Sequence, residues 1–316
     1  MSGPAAAPRP GDGRMPDFLV IGATKAGSTS LHDHLRRHAE VFMHPRKELR
    51  FFNAEHRWGQ GPDWYAAQFA AAGEARAVGE ASNGYTRHPV YRGAPERAAA
   101  LLPRLRLVYL IREPWARLES HYRWRLSTGY ESRPAAVALR RDPSYVASSL
   151  YGMQLAEWRR RFPADQILVL RSEALFADPA PHLARLAAHL GVAHDPALPF
   201  RRQNATEGRR VAAAPLRHLG RFPALRRRVK RAVRALERGP LGRLGAGAGA
   251  ADYRLPDDLR AEIAALLAED RRRLIDLAGA EAADWGPEPA AFQPPLDAEA
   301  APGRLGAALG LGGAGR

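Results

Sequence analysis

The residues best able to do chemistry gather in a few short stretches. In the first, the apolar run DFLVIG enters Gly22-Ala23-Thr24-Lys25-Ala26-Gly27-Ser28-Thr29-Ser30-Leu31. A Gly-x4-Gly spacing between a strand and a helix lets backbone N–H groups and a helix N-terminus cradle a phosphate. A nucleotide triphosphatase would place its lysine directly after the second glycine, before the hydroxyl that helps hold magnesium. Here Ser28 takes that place and the lysine sits in mid-loop at Lys25, which argues against ATP or GTP hydrolysis. The bland alternative is a glycine turn that binds nothing.

A second stretch, Lys47-Glu48-Leu49-Arg50-Phe51-Phe52, sets one carboxylate among cations and ahead of two aromatic rings. A carboxylate so walled can take a proton from an alcohol or amine. The alternative is a surface glutamate flanked by its ion-pair partners. In the third stretch, the run RLVYLI ends at Arg112 and Pro114 opens a helix that carries Ser120 about two turns on. Arg112 then lies at the C-terminal edge of a sheet, where open α/β folds hold their ligands. Gly79-Glu80-Ala81-Ser82-Asn83-Gly84-Tyr85 follows another apolar run, and its Glu80 and Tyr85 either line a cleft or finish a strand.

These stretches need a scaffold, and the chain has the means to build one. Its 316 residues are 46% hydrophobic and 26% charged, an ordinary globular composition. Cysteine is absent, which excludes disulfides, thiolate metal sites and a cysteine nucleophile; no metal site is expected. The 48 Lys and Arg exceed the 33 Asp and Glu by a net +15, yet lysine occurs only at Lys25, Lys47 and Lys230. In so arginine-biased a chain, a lysine marks a place where a compact, flexible ammonium is useful. No apolar run approaches the ~20 residues of a membrane span, and the N-terminus lacks the apolar centre of a signal peptide. A soluble, cytoplasmic protein is the expectation.

Short apolar runs at Asp17–Gly22, Ala77–Glu80, Arg106–Ile111 and Gln166–Leu170 are expected to be strands buried on both faces. Helices are expected over Ser28–His38, Pro95–Leu102, Pro114–Leu126, Ser144–Phe162, Pro181–Leu190 and Pro256–Leu277, several opening on Pro or Ser. Strands alternating with helices predict a doubly wound α/β domain with a mostly parallel sheet. One domain over residues 16–285 is expected, with a leader at 1–15, a Pro/Ala/Gly-rich tail at 286–316, and a basic helix and Gly/Ala-rich loop inserted at 209–250.

Taken together, IGATKAGSTSL, the KELRFF stretch and the Arg112…Pro114…Ser120 spacing resemble the sulfotransferases that use 3′-phosphoadenosine 5′-phosphosulfate, in particular their glycosaminoglycan-type and bacterial members. The resemblance spans about residues 16–285 and implies a P-loop-like, three-layer α/β fold. It implies that Thr24, Lys25, Ala26, Gly27, Ser28, Thr29 and Ser30 bind the 5′ end of the cofactor and that Arg112 and Ser120 bind its 3′-phosphate. Arg209, in the polar loop from Asn204 to Arg210, would close over that phosphate. Glu48 would be the base and Lys25 would also stabilise the transferred group. Lys47, Arg50, Glu80 and Tyr85 would meet the acceptor, and Tyr151 and Gln154 would approach the cleft. Two departures stand out: Arg50 replaces a frequent histidine, and Ala81 replaces a lysine that some glycosaminoglycan enzymes use on an anionic acceptor.

The resemblance thus implies transfer of a sulfuryl group to a hydroxyl or amine of a carbohydrate or secondary metabolite, with adenosine 3′,5′-bisphosphate as the other product. Residues 209–243 hold twelve Lys or Arg and one acid, Glu237, or +11 of the net charge. Their helical part, 223–238, keeps Leu225, Val229, Val233 and Leu236 at roughly helical spacing. It is either a solvated face or a surface for an acidic partner. Nucleic acid is not the expected partner, although a basic nucleic-acid- or membrane-binding protein and a small-molecule kinase are the competing readings.

Overall fold

The computed structural model describes residues 14–203, 255–285 and 309. Arg209, the basic helix at 223–238, the Gly/Ala-rich loop and the tail lie outside the described residues. Five strands carry the architecture: β1 (Phe18–Gly22), β2 (Val41–Met43), β3 (Ala77–Ala81), β4 (Arg106–Ile111) and β5 (Ile167–Arg171). All are parallel, in the order β2-β3-β1-β4-β5. The described helices are α1 (Ser28–Arg37), α2 (Gly61–Ala67), α3 (Ala94–Leu101), α4 (Pro114–Ser127), α5 (Ala135–Arg141), α6 (Ser144–Ala147), α7 (Tyr151–Arg159), α8 (Ser172–Ala177), α9 (Pro179–Leu190) and α10 (Asp257–Ala278). The α/β expectation holds. Among the described residues no helix is long and apolar enough to cross a membrane.

The four expected strands form because a parallel sheet is covered on both faces and can accept unbroken apolar runs. Phe18 to Ile21 and Leu107 to Ile111 are all 0% exposed. From β1 the chain winds to β2 and β3 on one side, then returns to β4 and β5 on the other. The C-terminal ends of β1 and β4 therefore flank the point where the winding reverses.

Two departures from expectation have local causes. The edge strand β2 has only three residues, Val41 to Met43, too few to show a period. The single helix expected over Ser144–Phe162 is broken between α6 and α7. Ser149 just before the break is occupied elsewhere: its Oγ accepts from Arg117 Nε at 2.6 Å and donates to the Pro114 carbonyl at 3.0 Å. Such side-chain bonds compete with continued helix.

The described residues fall into two compact units. The first, residues 14–113, 150–203 and 269–285, contains the whole sheet. Within it, the N-terminus of α7 is capped by Asp270, whose carboxylate accepts from Gly152 N–H at 2.8 Å and Met153 N–H at 2.7 Å. The second unit includes residues 114–149 with α4, α5 and α6. Its centre is a fully buried guanidinium, Arg117, bonded to Ser149 and to the Tyr145 carbonyl.

The β1–β3 register generates a stability prediction. Phe18 pairs with Gly79, and a Cβ at Gly79 would fall 2.4 Å from the Phe18 ring. Gly79→Ala is expected to cost about 2 kcal/mol, a fall in Tm of about 3 °C for a protein of this size. Adding Phe18→Leu should recover part of the loss in thermal unfolding, whereas an additive double variant would show that the two side chains do not compete.

Candidate active site

The loop after β1 is shaped by a residue without a side chain. Gly27 caps α1 at φ 91°, and a Cβ there would meet the Phe176 ring at 2.8 Å. No side chain caps α1, no acid lies in its first turn, and His34, Arg36 and Arg37 lie in its last. The first N–H groups of a helix have no internal acceptor, and the helix dipole adds positive potential there. This end of α1 can therefore receive an anion. Two other links tie the loop to the sheet: the Lys25 carbonyl accepts from Arg112 Nη1 at 3.4 Å, and the Ala26 carbonyl accepts from the Ser172 hydroxyl. Ser30 is buried and turned away from the loop mouth, its Oγ accepting from Gln203 N–H at 2.8 Å.

Lys47 reaches into this loop from the next stretch of motif. Its Nζ donates to Ser28 Oγ and to Thr29 Oγ1, both at 3.0 Å. Burial lowers its pKa to about 8, opposed by the neighbouring Glu48 charge. The ammonium expected at the acceptor thus stands on the hydroxyls of the loop after β1.

Glu48 and Arg50 form a tight turn, with φ of 62° and 54°. The end of β3 and the residues after it hold that turn along its length. Glu48 N–H donates to the Ala81 carbonyl at 2.8 Å, Arg50 N–H to Ser82 Oγ at 2.9 Å, and Asn83 N–H to Glu48 Oε1 at 3.1 Å. Arg50 Nε donates to Glu48 Oε2 at 2.9 Å, so the carboxylate is fixed through both oxygens. The aromatic walls expected around it are instead anchors. Phe51 and Phe52 are fully buried, Phe51 stacked on Tyr65 with centroids 4.1 Å apart.

Among the described residues, the non-glycine residues with positive φ are Lys25, Glu48 and Arg50. Such conformations cost on the order of 1–2 kcal/mol each and persist where the surroundings enforce them. Each is one that the sequence singles out for chemistry or for the acceptor.

Beneath the turn lies a second carboxylate. Glu80 is 0% exposed, and its oxygens accept from Tyr85 at 2.5 Å, Ser82 Oγ at 2.7 Å and Tyr65 at 3.4 Å. Burial raises its pKa to about 7 against the opposing pull of the hydroxyl bonds from Tyr85, Ser82 and Tyr65. Tyr85 is itself buried, at 4% exposure, so this pair faces the interior at the strand end. Gln154 likewise faces inward and clamps the His88 backbone with bonds of 2.7 and 2.9 Å. Ser82 and Asn83 are the residues that sequence reasoning passed over. Their signal was available, since both are polar and directly follow a strand inside a quoted motif. Thr24, Lys25 and Arg112 are half-buried at the strand ends of the first unit. Ser120 belongs to the second unit, where it is 8% exposed and its Oγ has no hydrogen-bond partner among the described residues. No cluster of three or more His, Asp or Glu among the described residues could hold a metal ion.

Comparison with known proteins gives this geometry a context. Residues 16–196 match the model of the sulfotransferase family. The bifunctional heparan sulfate N-deacetylase/N-sulfotransferase 2 of Bos taurus is 29% identical over 200 residues, covering 57% of this chain and 22% of that protein. The heparan sulfate glucosamine 3-O-sulfotransferase 6 of Homo sapiens is 31% identical over 191 residues, covering 58% of this chain and 54% of that protein. The chain thus spans between about a fifth and about half of the length of these relatives. The crystal structure of a sulfotransferase from Alicyclobacillus acidocaldarius shares the fold, with a TM-score of 0.58 over 84% of this chain and 96% of that one, at 23% identity.

The buried Glu80 should leave a mark on stability. Its pKa rises from 4.5 to about 7 on folding, so the folded state binds a proton more tightly than the unfolded state. The associated stability is fully present below pH 4.5 and is lost as pH rises through 7, by on the order of 3 kcal/mol. Glu80→Gln should flatten the fall in Tm between pH 5 and 7. An unchanged slope in the variant would place the titration on another group.

Proposed function

The chain belongs to the sulfotransferase family, and from that premise we propose that it moves a sulfuryl group from 3′-phosphoadenosine 5′-phosphosulfate to a hydroxyl or amine. The acceptor class is a carbohydrate or a secondary metabolite; the names of the curated relatives, which specify heparan sulfate, support the carbohydrate. One observation carries the reading above all others. Lys47 Nζ sits on Ser28 and Thr29 of the loop, so the turn that carries Glu48 is tied through its first residue to the anion-receiving end of α1.

The residues present fit such a donor. The uncapped N–H groups of α1 and the hydroxyls of Ser28 and Thr29 offer donors to its 5′-phosphate. Arg112, held near the loop through the Lys25 carbonyl, offers a guanidinium to the 3′-phosphate. The donor supplies an activated sulfuryl group; the protein supplies position and charge. Glu48 takes the proton of the acceptor hydroxyl or amine as its oxygen or nitrogen forms a bond to sulfur. The bond between sulfur and the bridging phosphate oxygen breaks, and its electron pair leaves with adenosine 3′,5′-bisphosphate. Lys25 neutralises charge growing on the bridging and sulfuryl oxygens. Arg50 and Asn83 orient the Glu48 carboxylate through one oxygen each.

Three variants test these roles. Glu48→Gln should lower turnover by about 10²-fold or more while keeping affinity for the bisphosphate, and Lys25→Ala should lose turnover on a similar scale. Near-normal turnover by Glu48→Gln would remove Glu48 from the chemistry. Arg112→Ala should weaken the bisphosphate more than AMP in calorimetric titration; equal losses would contradict the 3′-phosphate assignment. Titration of the unmodified protein decides the donor, since preference for ATP with magnesium would instead indicate a kinase.

A further inference from the structure

Lys47 has a geometry that its neighbours in sequence do not suggest. Lys47 is half-buried, and no carboxylate forms an ion pair with its ammonium among the described residues. Its partners are two hydroxyl oxygens, Ser28 Oγ and Thr29 Oγ1. A hydroxyl that accepts from Nζ keeps its own hydrogen to donate elsewhere. Ammonium, two hydroxyl hydrogens and the uncapped N–H groups of α1 therefore all offer positive charge around one point. A partly buried ammonium whose hydrogen-bond partners are neutral hydroxyls gains from an anion placed against it.

Building on the donor reading above, we propose that Lys47 belongs to the donor half of the site, where its ammonium, with Ser28 and Thr29, is a ligand of the 5′-phosphate. In this role it is a second cation beside Lys25, and acceptor recognition falls to other groups. The distinction has a thermodynamic signature. Without an anion, burial leaves Lys47 with a pKa of about 8, and Glu48 on its own turn is the charged neighbour that opposes this. On the facing helix α1, His32 feels the Lys47 charge, and its pKa is lowered chiefly by burial. A phosphate dianion within contact distance favours the charged ammonium, so binding raises the Lys47 pKa. Above pH 8, binding therefore takes up a proton, and affinity falls by up to about tenfold per pH unit until the bound pKa is reached. The second ionisation of a phosphate lies near 6, well below this window.

The test is calorimetric titration of the full chain with adenosine 3′,5′-bisphosphate from pH 7 to 9.5, in two buffers of different ionisation enthalpy. The unmodified protein should lose affinity above pH 8 and take up close to one proton there. Lys47→Arg, which keeps a charge that does not titrate in this range, should bind the bisphosphate without that slope or uptake. Lys47→Met should bind weakly at pH 7 and also without the slope. Affinity independent of pH in the unmodified protein, or a slope kept by both variants, overturns the assignment. Failure of the unmodified protein to bind the bisphosphate at any pH would sink the donor reading and this inference with it, which separates that outcome from failure of Lys47 alone.

Discussion

The arrangement of the site depends on how three parallel strands stop. Val20 of β1 stands level with Ala81 of β3 on one side and Val108 of β4 on the other. The strands are locked by buried apolar side chains on both faces, so a slip in register would expose a face of the core. Because the ends are fixed, the groups just beyond them are fixed as well. Ser82 N–H continues the ladder by donating to the Val20 carbonyl at 3.0 Å, and Glu48 N–H donates to the Ala81 carbonyl. The turn that carries Glu48 thus extends the sheet's hydrogen bonding past the last strand residue. Its unfavourable backbone is offset by three bonds from the 81–83 segment and by the burial of Leu49, Phe51 and Phe52.

The polar groups divide by depth. Near the loop are groups that keep a charge or a donor free for a partner, such as the α1 N-terminus. Below the turn, Glu80 has its demands met by Tyr65, Tyr85 and Ser82 and faces no solvent. Ser82 joins the layers, since it donates to Glu80 and accepts from Arg50 N–H. A buried network whose members are satisfied favours one geometry over its competitors. Here that geometry is the direction of the Glu48 carboxylate.

Much of this was legible in the sequence, and the exceptions share a cause. Lys25, Glu48 and Arg112 stand in motifs whose spacing follows from local geometry, namely a strand, a glycine turn and a helix start. The apolar runs of β1, β3, β4 and β5 were readable because doubly covered strands need no alternation. The edge strand β2 was too short to show a pattern, and the break before α7 depends on bonds to Ser149 from residues far away in sequence. The surroundings of Lys47 were hidden in the same way. It adjoins Glu48 in sequence, yet the left-handed turn sends the two side chains apart, one to α1 and the other to the end of β3. Glu80 and Tyr85 looked equally suited to a cleft or an interior because that choice is made by the ring of Tyr65, supplied from α2.

The scarcity of lysine has a practical consequence. Of the three lysines in the chain, two stand in the loop and the turn, and burial lowers the pKa of Lys47 to about 8. Reagents that acylate primary amines ordinarily scatter over a protein surface, but here they find few competitors to these two. Tethering this protein to a bead or a dye through its lysines would therefore draw on the loop and the turn, whereas attachment through carboxylates would be spread over 33 acids, of which Glu48 is one.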